Sequence, residues 1–379
     1  MAVRLLKRDS NYLHSGRTSD TRLFHADPSD HIQIWSPDVG QGYIQTVPLR
    51  DDLSLVILDH TLHHTLVSDN LRVNRQLELS FHIGGKTVGR NVVDPYLGVN
   101  EFTVLPAHQH NLKVELFLKP PLFSTYSQTL IELTSPQSQS LFYKWVNQVY
   151  YCHHGYDAPS PQSAFKDILS GAIALPHSLS IDQLSAQSEF LSLEHLLRRP
   201  MLPEMQSVIH QILNCPYKGR IRRTYLESKA LELLALQLSA LTQPQSSSHP
   251  LKPEDMDGIY QAGKILATRL DNPPSVEELA RQVGLNRLKL NHGFHHVYGT
   301  TPFRYLRNCR LAQARCLLID SILSVEEIAY RVGYTSRSRF AKAFRQLFGL
   351  NPKTLQLYSR LASQNSAGQD SARQNSLAS

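Results

Sequence analysis

The stretch S-V-E-E-L-A-R-Q-V-G, from Ser275 to Gly284, decides the fold because it returns as S-V-E-E-I-A-Y-R-V-G from Ser324 to Gly333. Each copy leads into an apolar and basic stretch that ends in F-x-x-x-[YF]-G, at 294–299 and 344–349, and a proline follows each. A duplication of this kind indicates two matching docking elements. Double-stranded DNA is a partner that offers two matching grooves.

Each copy carries the signals of a short helix, a turn and a second helix. A serine precedes the first helix and a glutamate follows three residues later, which is the capping-box pattern: the pairs are Ser275 with Glu278 and Ser324 with Glu327. Gly284 and Gly333 then stand where a left-handed residue ends a helix. Second helices are predicted at about 286–298 and 335–348, so each copy is predicted to be a helix-turn-helix unit.

Side chains near the start of each second helix are predicted to reach base edges in the major groove. The predicted DNA-contacting residues are Arg287, Leu288, Lys289, Asn291, His292, Ser336, Arg337, Ser338, Arg339, Lys342, Arg345 and Lys353. Arg337 is the sharpest candidate for reading a base because arginine makes bidentate contacts with guanine. Arg345 and Lys353 are predicted to contact phosphates. The alternative is a helical bundle with a basic face.

The positive charge of the chain is concentrated on the duplicated segment. The 379 residues carry a formal net charge of +7. Residues 251–361 contain 17 Lys+Arg and 9 Asp+Glu, whereas residues 1–250 contain 21 and 22. A polyanionic partner would require its counter-charge there. The hydrophobic fraction of 41% is typical of globular proteins. Neither a membrane span nor a secretory signal is found, and four scattered cysteines indicate a reduced cytoplasmic protein.

The segment between the copies, 302–319, is predicted to be one helix with a proline at its first position. Its predicted buried stripe is Phe303, Leu306, Cys309, Arg310, Ala314 and Leu317. A helix of about 18 residues spans about 27 Å, and adjacent major-groove segments lie about 34 Å apart on one face of DNA. The two units could therefore occupy successive grooves.

The fold class is predicted to be α+β, with a β-rich N-terminal domain, a barrel or sandwich, and an all-α C-terminal domain. Residues 1–30 are expected to be a poorly ordered lead-in. Strands are predicted at 31–35, 42–49, 53–67, 76–83, 102–105 and 112–118, and helices at 141–151, 164–172, 181–197, 205–213 and 222–241. The β-rich part (31–119) and the helical part (122–241) form one domain. A linker (242–253), the C-terminal domain (254–361) and a disordered tail (362–379) follow.

The C-terminal segment resembles the DNA-binding domain of AraC/XylS-type transcription regulators, which closes with the G-x-x-P pattern seen here from Gly349 to Pro352. The resemblance covers about 255–358. It implies base contacts from Leu288 and His292 in the first unit, which depart from the family's usual tryptophan or arginine readers. In the second unit it implies base contacts from Arg337, Ser338 and Lys342. Promoter direct repeats and RNA polymerase are the implied partners.

The segment 215–238 resembles the subgroup of pyochelin-type siderophore regulators. The AraC/XylS resemblance implies that the β-rich N-terminal domain, a cupin-like barrel or sandwich, senses a small effector and forms a homodimer. The siderophore-regulator resemblance implies a ferric siderophore as that effector. Possible aromatic walls of an effector pocket are Trp35, Tyr43, Phe81, Phe102 and Phe117, although strand aromatics are more often core. The 222–241 helix is either a dimer interface or core. Three arginines at the start of this helix either bind an anionic ligand or are ordinary surface residues: Arg220, Arg222 and Arg223.

Fifteen of the eighteen histidines precede residue 251. His108, His110 and Glu115 give the first half of a cupin metal motif, whose second half is missing. His60 and His64 are predicted to share one strand face, with His63 on the other, and His153 and His154 form a further pair. Ordinary surface or core histidines are the favoured interpretation, with no cofactor. Two alternatives to an effector-controlled regulator stay open: a constitutive DNA-binding protein, and a cupin-type metal enzyme or repair methyltransferase, whose P-C-H-R segment is absent.

Overall fold

A computed structural model describes residues 3–6, 12–71, 76–85, 88–96, 100–119, 121–133, 139, 198–242 and 253–360. The predicted helices at 141–151, 164–172 and 181–197, the pair His153 and His154, most of the linker, and the tail lie outside these residues. Within the described ranges, no helix combines the length and the apolar character that crossing a bilayer requires.

The N-terminal half is built on two β-sheets. An eight-stranded antiparallel sheet has the order β11-β8-β7-β10-β5-β4-β3-β2, and a three-stranded sheet has the order β1-β6-β9, with β1 and β6 parallel. The strands are β1 (Val3–Leu6), β2 (Leu13–Ser15), β3 (His31–Trp35), β4 (Gly40–Arg50), β5 (Leu53–Leu62), β6 (Thr65–Leu71), β7 (Gln76–His82), β8 (Arg90–Tyr96), β9 (Asn100–Leu105), β10 (His110–Leu118) and β11 (Arg198–Pro200). The predicted β-rich region is confirmed, and its closure as a cupin-like barrel stays a prediction.

One face of the large sheet is apolar and packs against three helices. They are α1 (Leu122–Leu133), α2 (Pro203–Leu213) and α3 (Gly219–Thr242). Leu226, Ala230 and Leu233 of α3 are fully buried in a core shared with Leu55 and Phe81 of the sheet. The apolar face of this helix is therefore buried inside its own domain, which favours core packing over a dimer interface for that face.

Two strand predictions were wrong in detail. The predicted strand 53–67 is interrupted, because β5 ends at Leu62, the chain turns at His63 and His64, and β6 starts at Thr65. His60 and His64 therefore do not share a strand. Residues 90–96, which lie outside every predicted strand, form β8, with Pro95 opposite Leu77. Proline has no N–H to donate to a neighbouring strand and is rare inside strands, so the local sequence did not predict β8.

The lead-in is better ordered than expected in its second half. Residues 12–30 are described, β2 pairs with β3, and the Asp30 carboxylate forms a buried ion pair with Arg222 of α3. A polar segment of this kind shows no hydrophobic periodicity. Its order comes instead from a partner that is distant in sequence.

The C-terminal half is helical. It contains α4 (Pro253–Thr268), α5 (Val276–Gln282), α6 (Arg287–Tyr298), α7 (Pro302–Asp320), α8 (Val325–Arg331), α9 (Arg337–Phe348) and a last helix, α10, at 352–360. The connecting helix α7 divides its buried side between two cores. Tyr305 and Cys309 pack with α4, α5 and α6, whereas Leu311 and Leu318 pack with α8 and α9. Val67 of β6 joins the second core.

The predicted buried stripe of α7 was wrong at Phe303, of which 65% is exposed. Tyr305 takes the inward position instead, with its ring centroid 4.4 Å from that of Tyr298 and 5.5 Å from that of Phe294. Two residues correspond to about 200° around a helix, so burying Tyr305 turns Phe303 outward. The stripe is correct at Leu306, Cys309 and Ala314, which are buried.

Candidate nucleic-acid interface

Both predicted capping boxes are present. The Ser275 hydroxyl accepts a hydrogen bond from the Glu278 amide, and the Glu278 carboxylate accepts one from the Ser275 amide at 2.9 Å. Ser324 and Glu327 repeat the arrangement, with the second bond at 2.7 Å. Hydrogen bonds from the serine amides and hydroxyls hold the pKa of each glutamate below its usual range. Both short helices, α5 and α8, thus begin in the same way.

The turns also match. Gly284 and Gly333 have φ of 69° and 83°, in the left-handed region that favours glycine. The following helices are capped by Asn286 and Ser336, whose side chains accept from the amide three residues on. Four apolar side chains of the second helices face inward and are fully buried: Leu290, Phe294, Phe340 and Phe344. The sequence repeat is therefore a structural repeat, α5–α6 and α8–α9.

The second helix pair presents free cations. Arg337, Ser338, Arg339, Lys342 and Arg345 of α9, and Lys353 of α10, are all exposed. No ion pair joins any of these basic side chains to another residue in the described part of the chain. Ser336 differs from the rest, because its hydroxyl caps the helix by accepting from the Arg339 amide at 3.4 Å.

The first helix pair is different, because the two cations at the start of its second helix are already paired. Arg287 Nη1 lies 3.0 Å from Glu277 Oε1, and Lys289 Nζ lies 3.0 Å from Asp255 Oδ1. Asn291 donates from its side chain to the Arg287 carbonyl at 3.0 Å, and His292 is half-buried. Leu288, between the paired cations, is 79% exposed.

The sequence did not predict that the carboxylates of Glu277 and Asp255 would pair with these two cations. Glu277 is the residue beside the capping glutamate, and its counterpart in the second copy is Glu326. Asp255 lies 34 residues before Lys289 and meets it only because α4 packs on α6. Local spacing in the sequence carries no signal for such a pair.

The two helix pairs are held together by more than the connecting helix. Arg310 of α7 donates from Nε to the Leu270 carbonyl oxygen at 2.7 Å, and Leu270 lies between α4 and α5. Gly333 of the second pair approaches the same oxygen so closely that an added Cβ would lie 2.3 Å from it. The turn of the second pair therefore abuts the first pair, and Arg307 of α7 bonds Gln346 of α9 at 3.1 Å.

The histidines named as half of a metal motif do not converge. His110 and Glu115 lie five residues apart on β10, so they project from opposite faces of the sheet. His110 is exposed and contacts the Asp59 carboxylate at 2.7 Å, while His108 has a φ of 54° in the preceding turn. Among the described residues, no group of three or more His, Cys, Asp or Glu side chains could hold a metal ion.

Glu115 belongs to a buried polar cluster on the sheet face opposite α3. Its carboxylate lies 3.1 Å from the Ser80 hydroxyl and 3.7 Å from Lys113 Nζ, and Ser80 also bonds Glu78. Burial, followed by the nearby Glu78 charge, raises the pKa of Glu115 to about 8. The helices α1, α2 and α3 cover the apolar face of the sheet. The buried polar side chains of Glu78, Ser80 and Glu115 lie on the opposite face.

Three of the five aromatic residues suggested as pocket walls, Trp35, Tyr43 and Phe81, do not form one wall. Tyr43 and Phe81 lie in the apolar core beneath the helices. Trp35 belongs to a separate small cluster with Val39 and Leu62, and nothing is described of the Phe102 side chain.

Two of the three arginines at the start of α3, Arg222 and Arg223, have structural roles. The Arg222 guanidinium is buried against Asp30, and Arg223 Nε donates to the Leu49 carbonyl at 2.7 Å. Arg220 is exposed. Arg222 is thus engaged within the chain, and its charge is already neutralised.

Two parts of the chain match known protein families. Residues 279–357 match the family described as Helix-turn-helix domain, and residues 172–252 match the Regulatory protein PchR N-terminal domain. Regulatory protein PchR of Pseudomonas aeruginosa is 35% identical over 159 residues, which are 39% of this chain and 53% of that protein. The HTH-type transcriptional regulator GlxA of Rhizobium meliloti is 29% identical over 154 residues, 41% of this chain and 45% of that protein. The chain thus spans about half the length of these relatives.

Among solved structures, an AraC-type transcriptional regulator from Chromobacterium violaceum is 25% identical, covering 28% of this chain and 96% of that chain with a TM-score of 0.27. The C-terminal part of the chain is therefore similar to the DNA-binding domains of AraC-type transcription regulators. The chain is also similar to regulatory protein PchR, and the match to the PchR N-terminal domain, residues 172–252, includes α3.

Proposed function

We propose that α5–α6 and α8–α9 act as two helix-turn-helix units that bind successive major-groove segments of promoter DNA as direct repeats. The observation that carries this proposal is the matched geometry of the two pairs. Each second helix buries Leu290 and Phe294, or Phe340 and Phe344, and exposes its first turn. In helix-turn-helix proteins the start of the second helix contacts base edges. The 19 residues of α7 span about 28 Å, comparable to the groove repeat of about 34 Å.

The two units would contribute unequally to the electrostatic attraction of DNA. Arg337, Arg339, Lys342 and Arg345 offer positive charge that no described carboxylate neutralises, so the second unit would supply most of the phosphate attraction. Arg287 and Lys289 reach DNA only by exchanging Glu277 and Asp255 for phosphates. Exposed ion pairs of this kind contribute only about 0–1 kcal/mol, so the exchange is affordable for a polyanionic partner.

The N-terminal domain would bind a small effector and transmit its presence to the DNA-binding half. The resemblance to pyochelin-type siderophore regulators, together with the matched PchR N-terminal domain at 172–252, supports a ferric siderophore as that effector. Val67 supports a route for the signal, because this residue of β6 is buried in the core of the second helix pair. Homodimer formation, contact with RNA polymerase and a cytoplasmic location complete the proposal, which assigns no catalytic step.

The DNA part of the proposal is tested by selecting bound duplexes from a random library with the full-length protein and measuring affinity by fluorescence anisotropy. A variant combining Arg337→Ala and Arg339→Ala is expected to lose preference for the selected duplex over a scrambled one. A matched variant, Lys218→Ala with Arg220→Ala, removes two exposed cations from the N-terminal half and is expected to keep that preference. Failure to enrich any sequence would contradict sequence-specific binding.

The effector part is tested by thermal unfolding of the full-length protein with ferric pyochelin, iron-free pyochelin and ferric citrate. A rise in the melting temperature with the ferric siderophore alone, and a changed affinity for the selected duplex, is the expected result. If none of the three changes either quantity, the constitutive regulator becomes the better description.

A further inference from the structure

Leu288 is an apolar side chain placed where a DNA-reading helix meets its ligand. It is the second residue of α6, and 79% of it is exposed to solvent. Leu290, two residues later, is fully buried. An exposed leucine alone needs no explanation, so the significance of Leu288 comes from its surroundings.

The neighbours of Leu288 are neutralised by carboxylates from two other helices. Glu277 of α5 holds Arg287, and Asp255 of α4 holds Lys289, each at 3.0 Å. The matching residues in the second pair, Arg337 and Arg339, have no such partner in the described ranges, and Ser338 stands between them. The first turn of α6 therefore exposes the apolar side chain of Leu288 between two cations that are paired with carboxylates. The first turn of α9 exposes the polar side chain of Ser338 between two cations that form no ion pair in the described ranges.

Only one group on the base edges of the major groove is apolar, the 5-methyl group of thymine. Guanine, adenine and cytosine present donors and acceptors there, and a leucine would remove water from these groups without replacing its hydrogen bonds. A thymine methyl gains from the same contact, because both partners lose apolar surface to water.

We propose that Leu288 reads the 5-methyl group of a thymine, and so makes the first helix pair prefer T at one position of its half-site. This rests on the proposed function, in which α6 lies in the major groove. The two half-sites would then be distinguished by different chemistry: an apolar contact in the first and charged hydrogen bonds from Arg337 in the second.

The test uses full-length protein and the duplex selected from a random library. Each thymine of the selected site is replaced singly by deoxyuridine, which retains the base pairing and lacks only the methyl group. The wild-type protein is expected to bind about fourfold more weakly at one position, the value of one buried methyl group. In Leu288→Ala the penalty at that position is expected to vanish. Leu357→Ala, which truncates an exposed leucine of α10, is expected to keep it.

Two results would overturn the proposal. One is a deoxyuridine penalty in Leu288→Ala that equals the wild-type penalty at every position. The other is that Leu288→Ala binds the selected duplex and its deoxyuridine derivatives as the wild type does, but no longer supports transcription by purified RNA polymerase. That outcome would identify Leu288 as a contact to another protein. A wild-type protein that selects no duplex at all would instead contradict the proposed function, and is distinguishable from both.

Discussion

Asp30 and Arg222 form a buried bidentate ion pair that ties the beginning of the chain to α3, across 192 residues of sequence. The two guanidinium nitrogens lie 2.9 and 2.8 Å from the two carboxylate oxygens. The side chains are 0% and 2% exposed. Gln45 donates to the same carboxylate at 2.7 Å, and His25 accepts from Arg222 at 2.9 Å. The segment before β3 is therefore part of the N-terminal fold.

We expect Asp30→Ala to lower the free energy of unfolding by about 3–5 kcal/mol, because it leaves a buried guanidinium charge without its partner. Chemical denaturation followed by circular dichroism measures this loss. Arg22→Ala, which breaks the exposed pair with Asp20, is the control and should cost at most about 1 kcal/mol. An Asp30→Ala variant as stable as the control would mean that water reaches Arg222.

Arg337→Ala is expected to weaken binding to the selected duplex by about 1–3 kcal/mol while binding to scrambled DNA barely changes. The reason is that a base contact is lost and the phosphate contacts remain. Anisotropy titrations on both duplexes provide the measurement. Equal losses on the two duplexes would identify Arg337 as a phosphate contact.

Lys353→Ala is expected to reduce the slope of log affinity against log salt concentration by about 1, because one phosphate contact releases about one counterion. Titrations between low and moderate salt give the slope. Lys218→Ala, at an exposed lysine of the N-terminal half, should leave the slope unchanged. An unaltered slope in Lys353→Ala would place that side chain outside the interface.

Glu115→Gln is expected to change how stability depends on pH. Burial raises the pKa of the Glu115 carboxyl from 4.5 to about 8, so the folded state holds the proton more tightly than the unfolded state. The contribution of this group is present in full below pH 4.5 and is lost as the pH rises through about 8. The free energy of unfolding should fall less over this window in Glu115→Gln than in wild type. Identical pH profiles would show that the carboxyl is solvated, and Glu204→Gln, at an exposed position, is the control.

The C-terminal half could be predicted closely because its signals are local. Capping boxes, left-handed glycines and inward phenylalanines act within one or two helical turns, so their spacing in the sequence fixes their geometry. Phe303 was wrong because the choice between it and Tyr305 depends on Tyr298 and Phe294, which come from another helix.

The pairing of the first unit's cations could not be predicted for the same reason. Asp255 reaches Lys289 through the packing of α4 on α6. In the N-terminal half, Asp30 finds Arg222 only after the sheet and α3 have come together. Residues that are fixed by tertiary partners leave no periodic pattern, and these are the ones that distinguish the two units.

The close approach of Gly333 to the Leu270 carbonyl has a consequence for evolution of the binding sites. Because the turn of the second pair rests against the segment that leads into the first pair, and Arg310 bonds the same oxygen, these contacts restrain the distance between α6 and α9. One additional base pair would move the second half-site by about 3.4 Å and turn it by about 35° around the DNA axis. If the two helix pairs bind direct repeats as proposed, base substitutions within the half-sites should change affinity gradually, whereas an insertion or deletion between the half-sites should abolish binding in one step.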